Sequence, residues 1–181
     1  MSRVKGYGLS ADPKAGWEVE IYQREAATVA AGRAARAQPG ALGDEAEPGV
    51  LLDADGARVQ AGVPTPILHL ANFPLPAERG DYGGGAVELM GRGGVFISLL
   101  EHDPAEAASA LFSRKQVPWP LGVGDFAPNQ MQRTIGGQSG CQRFFVVGGR
   151  AFCLYVAIGS HTLRALVLPE VNQLLSTIEI S

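Results

Sequence analysis

Apolar and polar residues change rhythm several times along this chain, and each change marks an element. "WEVEIYQR" alternates with period two, placing Trp17, Val19 and Ile21 on one face and Glu18, Glu20 and Tyr22 on the other. That is the pattern of a half-buried strand. With "YGLSA" before it and "DPKAG" between, the segment predicts an opening hairpin. "PTPILHLANFPLP" predicts a strand from about Thr65 to Phe73 bounded by prolines, and "VFISLLEH" predicts a buried one. "DPAEAASALF" predicts a short amphipathic helix ending near Phe112, with Asp103 as N-cap, Pro104 at the first helical position and Glu106 in the first turn. "MQRTI" suggests a further strand. Towards the end, Leu163, Leu166, Val167, Val171, Leu174 and Leu175 follow helical spacing. Pro169 is expected to begin a new helix or kink the existing one, and "TIEI" to close the chain as a strand.

The strongest signal is "QRFFVVGGRAFCLYVAIGS". Gly148-Gly149 suits a two-residue hairpin turn, which fixes the register: Val147 faces Arg150, Phe145 faces Phe152, and Phe144 faces Cys153. One face then carries Phe145, Val147, Phe152, Leu154, Val156 and Ile158; the other carries Phe144, Val146, Ala151, Cys153 and Tyr155. A hairpin apolar on both faces belongs in the middle of a covered sheet. Cys153 therefore falls mid-strand among aromatics, with no neighbouring cation, His or helix N-terminus to lower its pKa, and is expected to be a small buried hydrophobe. Cys141, at the strand's entrance, is expected to be more exposed. The two thiols point to opposite faces three residues out of register, so a disulfide is not expected, and two free thiols suit a reducing cytoplasm.

Between residues 24 and 63 the pattern weakens. An Ala-rich start predicts a short helix over Ala26–Ala37, and Asp55-Gly56 a hairpin turn within "VLLDADGARVQ". The stretch has too few large apolar residues for a core of its own. It is expected to be a loop-rich insertion in a single domain that occupies 1–181. "GDYGGGAVELMGRGG" is a glycine-rich connection with one helical turn around Ala86–Met90. It lacks the Gly-Lys-Ser/Thr of a phosphate loop and does not follow a strand, so it is expected to be a flexible loop able to cover a ligand.

Composition narrows the classes. The 181 residues include 46% hydrophobic ones, enough for an ordinary core, and 24 glycines and 12 prolines that imply many turns. A net charge of −3 with only 15 scattered Lys and Arg offers no basic stripe, so nucleic acid is not an expected partner. The start has no apolar run of signal-peptide length, and nothing approaches 18 apolar residues, so no membrane contact is expected and the cytoplasm is the default location. His69, His102 and His161 have no metal-ligand spacing, and neither a metal nor a cofactor is expected. "GGQSGC" misses the nucleophile elbow because Gly140 comes one residue early, and Asp53 and Asp55 lack the remaining ligands of a calcium loop.

"GYGLSADPKAGWEVEIY", with Tyr7, Pro13 and Trp17, resembles the opening of PsbP-like domains, and "FFVVGGRAFCLYVAIGSHTLRALVLPEVNQLLSTIEI" is similar to their closing hairpin, helix and strand. The wider family includes photosystem II extrinsic subunits, Ran-binding Mog-type proteins and actinobacterial LpqN-type lipoproteins. The resemblance implies an α+β fold, a mostly antiparallel β-sheet of six or seven strands sandwiched by two to four helices, and a binding or accessory role rather than an enzymatic one. Expected core residues are Trp17, Val19, Ile21, Leu68, Leu70, Phe96, Leu99, Phe145, Phe152, Leu154, Val156 and Leu174.

Two functional expectations follow. The first is a non-catalytic cytoplasmic module that binds another protein or self-assembles, docking through Phe112, Arg114, Trp119 and Phe126 in the proline-broken stretch "FSRKQVPWPLGVGDF". Trp119 could instead fold back and plug one end of the sheet. The second is a small ligand-binder or enzyme with a site under the Gly83–Gly94 loop, using Asp81, Tyr82, Glu88 and His102.

Overall fold

The computed structural model describes residues 3–24, 28–30, 51–52, 58–61 and 64–181. In chain order its strands are β1 (Val4–Gly6), β2 (Leu9–Ala11), β3 (Glu18–Gln23), β4 (Thr28–Ala30), β5 (Leu51–Leu52), β6 (Arg58–Ala61), β7 (Pro66–Ala71), β8 (Val95–Glu101), β9 (Ser139–Val147), β10 (Arg150–Ile158) and β11 (Glu179–Ile180), with helix α1 (Arg164–Leu175) before the last. The chain forms two compact units, residues 1–23 with 65–181, and residues 24–64.

The larger unit is built on a five-stranded antiparallel sheet of order β3-β7-β8-β10-β9. The β9–β10 hairpin keeps the register that the Gly-Gly turn dictates, with Phe145 opposite Phe152 and Phe144 opposite Cys153, but it is not central as expected: β8 is the middle strand and β9 forms one edge. Gly148 and Gly149 both take positive φ, 59° and 80°, a conformation that glycine adopts without strain. Strict alternation then sorts the strands onto two faces. On one, Leu68, Leu70, Ile97, Leu99, Phe145, Phe152, Leu154 and Val156 form the main core under Leu168, Val171, Leu174 and Leu175 of α1. On the other, Ala71, Phe96, Tyr155, Ile67, Leu100 and Cys153 lie beneath the connections. A second, three-stranded antiparallel sheet has the order β1-β2-β11. Trp17 is buried in the main core and donates its indole N–H to Glu170 of α1 at 2.9 Å. Ten of the twelve expected core residues are buried in this unit; Val19 and Ile21 are only partly buried and pack against the core.

The smaller unit is described as an antiparallel sheet of order β4-β6-β5. Thr28–Ala30 is a strand where a helix was expected over Ala26–Ala37, and the rest of that expectation, like the Asp55-Gly56 turn, lies outside the described residues.

Four other expectations fail. The opening segments do not pair as a hairpin: β2 pairs with β1 and β11, while β3 pairs with β7. Pro104–Ala108 and Ala110–Phe112 are two 3₁₀ turns rather than an α-helix, although Asp103 does cap the first by accepting from the Ala105 N–H at 2.8 Å. Of those eight residues only Phe112 is buried, too narrow a face to hold a full helix on the sheet. "MQRTI" forms no strand. Leu166, expected on the apolar stripe of the closing helix, is exposed while Leu168 takes the buried position; Pro169 lies within α1 and starts no new helix. Among the described residues no helix is long and apolar enough to cross a membrane.

Candidate functional site

The second face of the sheet is roofed by the connection between β7 and β8, and a buried polar network anchors that roof. Arg79, its side chain almost wholly enclosed, donates from Nε to His69 Nδ1 at 2.8 Å and from Nη1 to the Pro76 carbonyl at 2.7 Å, pairs with Glu20, and lies over the Tyr22 ring. A guanidinium can only donate, so His69 Nδ1 is the acceptor and the imidazole proton sits on Nε2. Nε2 then donates to the Asp81 carbonyl at 2.9 Å, which also accepts from Ser98 Oγ at 2.7 Å. Burial first, and then the positive charge of Arg79, push the His69 pKa down to about 4, so the ring is neutral at ordinary pH. Strand β7 presents His69 on this face because its parity is opposite to that of Leu68 and Leu70.

From that anchor the chain makes a tight turn. Gly80 N–H donates to the Gly84 carbonyl and Gly83 N–H to the Gly80 carbonyl, both at 2.8 Å. Gly83 has φ +76°, and a Cβ there would lie 2.5 Å from the Phe96 ring, so the turn settles on Phe96 only because it is glycine. Glu88 locks the far side: one carboxylate oxygen accepts the Gly85 N–H at 2.7 Å and the other pairs with Arg133 at 2.7 Å.

This arrangement lines a half-open cavity of about 230 Å³ whose walls include Asp81, Tyr82, Val87, Glu88, Arg133 and Tyr155. The Tyr82 and Tyr155 rings meet edge to face, 5.5 Å apart at 82°, and make an aromatic corner. Tyr155 is 1% exposed, yet its hydroxyl donates only to the Met131 thioether at 3.5 Å and accepts the Gln132 N–H at 3.5 Å. A thioether is a weak acceptor, so this buried phenol has hydrogen-bonding capacity left over. A larger open hollow of about 480 Å³ runs beside Lys5–Ser10 and Glu179.

Of the residues expected at a ligand site, Asp81, Tyr82 and Glu88 converge on this cavity. His102 does not: it lies past the end of β8, with Nδ1 3.3 Å from both Glu106 carboxylate oxygens and its ring against Phe112 and Phe144. The expected docking patch is not assembled. Phe112 and Phe126 are interior residues, 0% and 3% exposed, in different clusters, because the stretch that carries them is fastened along β9. Val146 N–H donates to the Arg114 carbonyl at 2.8 Å, and Ala127 and Gly140 exchange backbone hydrogen bonds at 2.9 and 3.0 Å. Arg114 is exposed, and Trp119 is half-buried with its ring against Phe145 at 5.8 Å. Both cysteines are buried and free, Cys141 included, and burial pushes each thiol up to about 11. Among the described residues no group of three or more His, Cys, Asp or Glu is placed to hold a metal ion.

No motif points to Arg133, which joins Glu88 from 45 residues away, or to the His69–Arg79 anchor, whose partners lie ten residues apart with no recognisable spacing. Tyr155 could have been found, since the hairpin register already assigned it to the second face beside Cys153. Compared with known proteins, the chain matches no family model, no curated protein and no solved structure.

Proposed function

We propose that this protein is a non-catalytic binding module whose ligand is a small molecule held in the cavity between the Gly80–Glu88 turn and Tyr155. The observation that carries this reading is Tyr155: a buried phenol that lines the half-open cavity with only a thioether to donate to. The groups best suited to chemistry are already occupied in the fold. His69 uses both ring nitrogens to hold the roof in place, and the two thiols sit far above the pKa a nucleophile needs. A binding role agrees with what the PsbP-like resemblance implies.

Membership of that family is kept as part of the same proposal, together with its helix-sandwiched form. It is supported by α1 on the main-core face and by the 3₁₀ turns at Val87–Leu89 and Ala110–Phe112, which bury Val87 and Phe112 on the other. The test is a thermal-shift screen of small metabolites against the whole protein. A specific stabilisation of several degrees that Tyr82→Ala or Glu88→Gln removes supports the reading. Hits that survive both substitutions place the ligand elsewhere and overturn it.

A further inference from the structure

We infer that the ligand is an uncharged molecule of a single aromatic ring bearing one hydrogen-bond acceptor, such as a carbonyl oxygen, directed at the Tyr155 hydroxyl. This rests on the cavity being the binding site, and its walls select the class. The volume, about 230 Å³, lies below the usual range for drug-sized ligands and limits the occupant to one ring. The exposed lining is mostly apolar, and the Tyr82 and Tyr155 rings, set at 82°, offer a face and an edge to a flat guest. Among the described residues, none of the charged side chains on the wall is without a partner. Glu88 accepts the Gly85 N–H on one oxygen and pairs with Arg133 through the other, and Asp81 has partners of its own. An ionic guest would therefore give up its water for no counter-charge, which selects against ions of either sign. The polar group with capacity to spare is the Tyr155 hydroxyl. Burial raises its pKa, so it keeps its proton. It donates to the Met131 thioether at 3.5 Å; a carbonyl oxygen is the stronger acceptor and would take the thioether's place.

The class is tested with four single-ring probes: acetophenone, ethylbenzene, benzoate and benzylammonium. Each is titrated into the full chain while amide shifts of Gly80–Glu88, Gln132 and Arg133 are followed by NMR. Acetophenone is expected to shift these amides and to bind roughly tenfold or more tightly than either charged probe, a comparison made on the parent without any substitution. Tyr155→Phe removes the hydroxyl alone. It is expected to weaken acetophenone about tenfold more than ethylbenzene, the size of one hydrogen bond. Comparing each probe with itself cancels their different affinities for water. A purely structural phenol would weaken both alike, and a melting curve like that of the parent shows that the variant is folded. Equal losses overturn the acceptor, and a charged probe that matches or exceeds acetophenone overturns the uncharged class; in both cases the cavity reading survives. If none of the four perturbs these amides at millimolar concentration, both readings fall.

Discussion

Lowering the pH from 7.5 to 4 should destabilise this protein, and a separable part of the loss should come from His69. The ring is wholly buried, and its two nitrogens are committed in opposite senses, Nδ1 accepting from Arg79 and Nε2 donating to Asp81. Protonation would put a second positive charge against Arg79 and destroy the acceptor at Nδ1. The pKa is therefore pushed from 6.5 in the unfolded chain down to about 4 in the folded one. Between those values the unfolded state binds a proton that the native state refuses, so stability rises with pH across the window. The contribution is complete above about pH 6.5 and is lost as the pH falls through 4. A displacement of about 2.5 pH units corresponds to about 3 kcal/mol, with a slope of at most about 1.4 kcal/mol per pH unit. The assay is urea denaturation at half-unit pH steps on the parent and on His69→Gln, which offers an acceptor and a donor but does not titrate. Subtracting the two curves cancels the carboxylates, and the parent should lose about 3 kcal/mol more than the variant between pH 7.5 and 4. Parallel curves would refute the neutral, doubly engaged His69.

Three further outcomes are expected. Neither cysteine should react with a thiol reagent within minutes at pH 8 in the native protein, whereas both should in denaturant, because burial holds the thiols at about 11; rapid native labelling of either would show that its strand opens. Arg150 donates two hydrogen bonds to Glu101, at 2.9 and 2.5 Å, and three more to the carbonyls of Tyr7, Gly8 and Ser181. Arg150→Met should cost about 2–4 kcal/mol in chemical denaturation, and Glu101→Gln beside it should recover part of that loss by removing the buried charge; an unchanged midpoint in the single variant would show that the cluster contributes little. Trp119→Ala removes the ring packed on Phe145 and should lower the melting temperature by several degrees; a parent-like melting curve would return Trp119 to the surface, as a docking residue.

Local rules carried the sequence as far as they reach. The β9–β10 hairpin was legible because a two-residue turn leaves one register, and that register assigns every side chain to a face. The opening hairpin was misread for the complementary reason. "DPKAG" does turn, with Trp17 N–H donating to the Lys14 carbonyl at 3.2 Å, but β2 finds its second partner in β11, at the other end of the chain. No local pattern encodes that choice. The same division runs through the site. Asp81, Tyr82 and Glu88 share one glycine-rich turn and were legible together, whereas Arg133 and Tyr155 reach the cavity from distant positions. His102 was linked to them by chemistry alone and belongs elsewhere. The docking quartet failed because an irregular stretch can be fastened by its backbone to a sheet edge, and aromatic residues in such a stretch are then drawn into the core.

Strands β3 and β7 are hydrogen-bonded neighbours, and the last residue of one, Gln23, stands opposite the first of the other, Pro66. Everything between them therefore leaves the sheet and returns to it across a single rung. To the larger unit, the intervening polypeptide is a hairpin connection of unusual length, and closing a connection costs only slowly more as it grows. That junction is a natural splice point, where a short turn could replace the whole intervening segment, or a foreign module be inserted, without altering a single pairing of the central sheet.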